Sequence, residues 1–93
     1  MDSDSRQLVI VEWRDIMQTS GWEPQEEVDC PVIRSVGWLI PQEDPKTIKI
    51  YNTITLEDFD KKKGEIEYGI TAFPKGCVTR LEFLSCEVRN IID

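Results

Sequence analysis

Apolar and polar residues alternate with a period of two in five separate stretches of the chain, the pattern of half-buried β-strands. Residues 8–14 (LVIVEWR) set Val9, Val11 and Trp13 on one face, and their β-branched content suits an extended backbone. Residues 32–40 (VIRSVGWLI) set Val32, Val36, Trp38 and Ile40 on one face, with Arg34 interrupting the row. Residues 46–54 (KTIKIYNTI) place Ile48, Ile50 and Ile54 opposite Lys49, Tyr51 and Thr53. Residues 65–72 (EIEYGITA) alternate Ile66, Tyr68 and Ile70 with Glu65, Glu67 and Gly69, and residues 78–84 (VTRLEFL) put Leu81 and Phe83 together. Trp13 and Trp38 are accordingly expected in the core.

Turn chemistry separates these stretches. Residues 19–31 (TSGWEPQEEVDCP) form the longest irregular segment, and a single helical turn over residues 16–20 is expected to lead into it. Residues 41–45 (PQEDP) predict a short connection, 56–64 (LEDFDKKKG) a charged hairpin loop, and 73–76 (FPKG) one tight turn. The organisation that follows is a disordered N-terminus at 1–7, one domain at 8–84 and an extension at 85–93. Val88, Ile91 and Ile92 predict that this extension docks on the domain or on a neighbouring subunit. Five short antiparallel strands with one long first loop describe an all-β chain, a small five-stranded antiparallel barrel, open or closed.

Composition narrows the function classes. With 93 residues the core must be small, so a sizeable ligand site is expected on the surface or between subunits. Eighteen acidic residues against eleven basic ones leave a net charge of −7, which opposes contact with nucleic-acid phosphates and anionic lipid. Cys30, Cys77 and Cys86 are odd in number, lack a Cys-x-x-Cys spacing and come without any histidine. They read as reduced thiols rather than a zinc site or a disulfide framework. No metal or cofactor is expected. Residues 1–7 are polar and acidic where a secretory leader is basic and then apolar, and no run approaches membrane-spanning length, so a cytoplasmic location is expected.

The succession VEWRD, a GW in a long acidic loop, SVGWLI and ITAFPKGCVTRLEFL resembles a group of small accessory proteins of tailed bacteriophages and prophages. Their shared outline is V-x-W-x-D, GW, SVGWL and IPKG-x-I, and it covers about residues 9–84. The chain departs from it in Phe73, where isoleucine is usual before Pro74, and in its C-terminal extension. The resemblance implies phage origin, the host cytoplasm and an accessory role, and it carries over no activity. A broader similarity is to Sm-like and Src-homology-type barrels, where a one-turn constriction leads into the last strand. Sm-like proteins form rings by pairing edge strands, so the analogy implies a homo-oligomer. Function does not follow from such a likeness.

Without histidine the commonest general base is missing, and no spacing pairs a serine or cysteine with an activating group, so catalysis is not expected. Asp15 is expected to cap the turn after the first strand, with Glu12 in solvent, rather than the two forming a paired-carboxylate site. Two binding readings stand side by side. In one, Arg34, Lys75 and Arg80 converge on a small anionic, nucleotide-like ligand, with Trp22 and Tyr68 as aromatic platforms. In the other, Glu23, Glu26, Glu27 and Asp29, joined by Glu43, Asp44, Glu57, Asp58 and Asp60, imitate the phosphate rows of a nucleic acid and occupy a host protein's basic groove. Either suits an inhibitor of host defence, and a minor virion or assembly role is the further alternative. Trp22 is expected either to fold back as a lid or to stand at a binding surface, and Arg34 and Arg80 either to serve as rim residues or as anion contacts.

Overall fold

The computed structural model describes residues 6–41, 43–56, 66–85 and 91–92. Among these, the strands are β1 (Leu8–Arg14), β2 (Val32–Ile40), β3 (Thr47–Tyr51), β4 (Thr53–Ile54), β5 (Glu67–Tyr68), β6 (Thr71–Pro74) and β7 (Val78–Phe83). Five of them form one antiparallel sheet in the order β6-β3-β2-β1-β7, and β4 pairs with β5 separately. The mainly β, five-stranded antiparallel expectation is therefore met. The helical turn expected at residues 16–20 is not found there. That stretch is irregular, and single 3-10 turns occur at Gln25–Glu27 and Lys75–Cys77.

The sheet is a curled trough. Laid flat, β1 and β6 would lie three strand spacings apart, roughly 14 Å. The rings of Trp13 on β1 and Phe73 on β6 instead approach to 5.4 Å between centroids. Val9, Val11, Ile50 and Phe73 are buried inside the trough, with Trp13, Leu39, Ile48 and Val78 packed against them. The edges β6 and β7 are joined directly by the Lys75–Cys77 turn, but they are not hydrogen-bonded to each other. The sheet is open along this seam and is not a closed barrel. β6 has only four residues and ends in Pro74, which supplies no N–H for closure.

The core face of β2 differs from the expected one. Val9, Val11 and Trp13 stand opposite Gly37, Ser35 and Ile33, so these residues and Leu39 line the trough. Val32, Val36, Trp38 and Ile40 lie on the convex side, where Val32 is 58% and Val36 52% exposed. The reason is volume. A Cβ on Gly37 would lie 2.7 Å from the carbonyl oxygen of Tyr51 and 3.1 Å from Ile50 Cδ1, and the Trp13 indole N–H donates to Ser35 Oγ at 3.1 Å. Large residues on β1 and β3 fill the space that small residues on β2 leave. Trp38 stacks on the buried Tyr51 on the convex side, with ring centroids 5.7 Å apart.

The strand expected over residues 65–72 is broken at Gly69. Ile50 faces Thr71 in the main sheet and Thr53 faces Tyr68 in the small one, so one hairpin register continues across the break. It sets Asn52 opposite Gly69. Gly69 has φ of 67°, and a Cβ there would lie 2.3 Å from Asn52 Oδ1. Only glycine meets both demands without strain. The charged tip with Glu57, Asp58, Asp60 and Lys61, together with Glu65, Cys86 and Val88, lies outside the described residues. Ile91 and Ile92 are 90% and 78% exposed.

Candidate functional site

Two surfaces gather the charged residues. The first is on the convex side, where register alone brings three side chains into one row. Glu12 of β1 stands opposite Arg34 of β2 and opposite Arg80 of β7. Arg34 donates to Glu12 Oε2 from Nε at 2.8 Å and from Nη2 at 2.6 Å, and Arg80 Nη1 donates to the same oxygen at 3.3 Å. Arg80 Nε also donates to Glu82. The hydrogen bond from Arg34, reinforced by the charge of Arg80, holds the Glu12 carboxyl below the usual carboxylate range. The bond from Arg80 does the same for Glu82, and Glu82 in turn raises Arg80.

Sequence reading placed Glu12 in solvent, but its side chain is only 18% accessible and lies between two guanidinium groups. The signal was present in the chain: Glu12 is the one charge within the otherwise apolar residues 8–13, facing away from Val11 and Trp13. Arg34 and Arg80 do converge, as the anion-site expectation had it. They converge on carboxylates, however, and the group of two arginines and two glutamates carries no net charge.

Lys75 is elsewhere. It sits on the turn between β6 and β7, where its N–H donates to the Lys46 carbonyl at 2.8 Å. Its side chain borders an open, mainly apolar depression of about 380 Å³ lined by Leu39, Ile48, Leu81 and Asp44. The Lys46 backbone N–H, then the Thr47 hydroxyl, lower the pKa of Asp44. Tyr68 lies on β5, 48% exposed, and is part of neither group.

The second surface is the loop between β1 and β2. Its base is latched: Asp15 N–H donates to the Pro31 carbonyl at 2.9 Å, and Arg14 Nη2 reaches Asp29 Oδ1 at 2.9 Å and the Cys30 carbonyl at 3.3 Å. Asp15 Oδ1 accepts the Ile16 N–H at 2.8 Å, and no regular turn follows for it to cap. Asp29 is thus tied to the base of the loop, with its Oδ1 also taking the Cys30 N–H at 2.8 Å. Glu23, Glu26 and Glu27 are exposed further out, the last two on the Gln25–Glu27 turn. Beside them Trp22 is fully exposed, and Ile16 and Met17 are 87% and 55% exposed. Trp22 does not fold back over the trough.

Among the described residues, no group of three or more histidine, cysteine, aspartate or glutamate side chains is placed to hold a metal ion. No helix among them is long and apolar enough to cross a membrane. Cys30 and Cys77 are exposed free thiols. No family model, curated protein or solved structure matches the chain.

Proposed function

We propose that this is a non-enzymatic binding protein that engages a protein partner through the loop between β1 and β2, with Trp22 as anchor and Glu23, Glu26 and Glu27 as its charged surround. The observation that carries this reading is the full exposure of Trp22 on a loop whose two ends are latched together. An exposed tryptophan loses little side-chain entropy on binding and buries a large area, which is why tryptophan is enriched among residues that dominate interfaces. The surrounding carboxylates select a basic partner and speed encounter with it. A host nucleic-acid-binding protein presents such a surface. The resemblance to phage accessory proteins extends the proposal to inhibition of a host defence factor in the host cytoplasm, on a small barrel-like scaffold of Sm type.

Sequestration of a nucleotide-like ligand is the weaker reading, because Arg34 and Arg80 already bond carboxylates and Lys75 stands apart from them. A partner capture assay from host lysate with three variant sets separates the two. Trp22→Ala should weaken capture of one specific protein by about 2 kcal/mol or more, roughly thirtyfold, and reversal of Glu23, Glu26 and Glu27 to lysine should slow its association. Replacement of Arg34, Lys75 and Arg80 by alanine should leave capture intact. If only the basic set matters, and native mass spectrometry of the purified protein shows a retained small anion, the loop reading is wrong.

A further inference from the structure

We infer that the edge of β7 left unpaired among the described residues pairs with the same edge of a second copy, antiparallel and across a two-fold axis at Leu81, so that one sheet runs through both protomers. This stands independently of the loop between β1 and β2.

The first ground is the direction of the backbone groups. Leu84 N–H donates to the Leu8 carbonyl at 2.8 Å, and bonded pairs alternate along an antiparallel ladder. With Leu8 and Leu84 bonded, Ile10–Glu82 and Glu12–Arg80 are bonded too. Leu81 and Phe83 therefore turn their N–H and C=O groups outward. Thr79 is the extra residue of a bulge opposite Glu12–Trp13, and its hydroxyl donates to the Glu12 carbonyl at 3.3 Å. A two-fold axis at Leu81 matches Leu81 with its own copy, outward groups against outward groups, and brings the partner's Phe83 opposite the bulge at Thr79. About two hydrogen bonds form at the Leu81 pair.

The second ground is charge. The run Val78, Thr79, Arg80, Leu81, Glu82, Phe83, Leu84 is self-complementary about its centre. The same axis sets Arg80 opposite the partner's Glu82 and Glu82 opposite the partner's Arg80, on the convex side. Within one protomer the convex row already alternates in sign through Arg34, Glu12 and Arg80. The partner's Glu82 is the next alternating charge. Cross-strand pairs of opposite sign stabilise a ladder and like pairs oppose it, so these charges select the chain's own antiparallel copy over an arbitrary strand.

The third ground is uncovered apolar surface. Leu81 and Phe83 belong to the trough face, yet they are 37% and 60% exposed, and Leu84 is 36% exposed. A partner strand continues the trough face over Leu81 and Phe83. The opposite edge offers far less. Lys75 N–H donates to the Lys46 carbonyl, which by the same alternation turns Ala72 and Pro74 of β6 outward, and Pro74 has no N–H. Closure through two copies of β7 is isologous and yields a dimer, whereas pairing β7 with β6 of the next copy would yield a ring or a filament.

The test reads mass and affinity by analytical ultracentrifugation. The wild type should sediment at twice its chain mass of 10.8 kDa at tens of micromolar. Glu82→Arg and Arg80→Glu each place like charges at both cross-axis pairs, and each should raise the dissociation constant about tenfold or more. Mixed together, the two variants restore opposite charges at both pairs and should form a heterodimer of near wild-type affinity. A monomeric wild type, a larger ring, a dimer indifferent to both reversals, or a mixture without rescue would each overturn the inference. Amide hydrogen exchange on the wild type gives a readout free of any variant's folding. The Leu81 and Phe83 amides should slow as protein concentration rises, and slowing at Ala72 instead would overturn it.

Discussion

Glu12 gathers hydrogen bonds from Arg34 and Arg80 on a single oxygen, on the convex face between β2 and the edge strand β7. Its folded-state pKa lies below the ordinary carboxylate value, and so does that of Glu82. A carboxylate depressed in this way stabilises the fold above its unfolded pKa, and the contribution is lost as pH falls through the folded value. Thermal melting of the wild type should therefore fall off as the solution is acidified through and below the normal carboxylate range. Glu12→Gln should show a lower melting temperature at neutral pH and a shallower acid loss. Equal slopes in the two proteins would mean that the row does not contribute. At Gly69 the argument is steric rather than electrostatic. With φ of 67° and Asn52 Oδ1 where a Cβ would go, Gly69→Ala should destabilise by about 1–2 kcal/mol in urea unfolding. Adding Asn52→Ala should recover the clash but not the backbone strain.

Among the elements, β2 decides how the sheet curls. Its trough-facing positions include Ser35 and Gly37, the latter pressed against the Tyr51 carbonyl and Ile50. Gly37→Ala should cost about 1–3 kcal/mol by overpacking, measured by denaturant midpoint. The loop between β1 and β2 behaves in the opposite sense. Trp22 buries nothing within the protomer, so Trp22→Ala should leave the unfolding midpoint unchanged while partner binding falls. β7 combines both characters, being half ladder and half open edge, and its charges already answer those of β1.

For the whole molecule, stability rests on a curled trough whose sides meet through the rings of Trp13 and Phe73. Phe73 is 2% exposed and touches Trp13 across the sheet, so Phe73→Ala should cost about 3–5 kcal/mol. That is a large share of what a domain of this size possesses, and calorimetry should show a broad, early transition. Net charge also acts at this scale. At −7, the protein should show no measurable binding to random duplex DNA or single-stranded RNA at physiological salt, as read by fluorescence anisotropy. Sub-micromolar binding would mean that a local basic patch overrides the global field.

The alternation of residue types was enough to place the strands to within a few residues, because side chains on an extended backbone take turns between two faces and burial sorts them. It also located the loop with Trp22 and the turn before β7, where glycine and proline act locally. Alternation cannot say which of two apolar faces lies inside. On β2 the larger row is the outer one, since Trp13 and Ile50 from neighbouring strands already fill the space above Ser35 and Gly37. Nor can a single strand show that Glu12, Arg34 and Arg80 share one row, or that Asp29 is tied to Arg14 while Glu23, Glu26 and Glu27 are not. Those relations depend on register between strands remote in the chain, which only the folded sheet establishes. The open seam is of the same kind: each edge is legible as a strand, but whether two edges meet is settled by curvature and by the donors left facing outward.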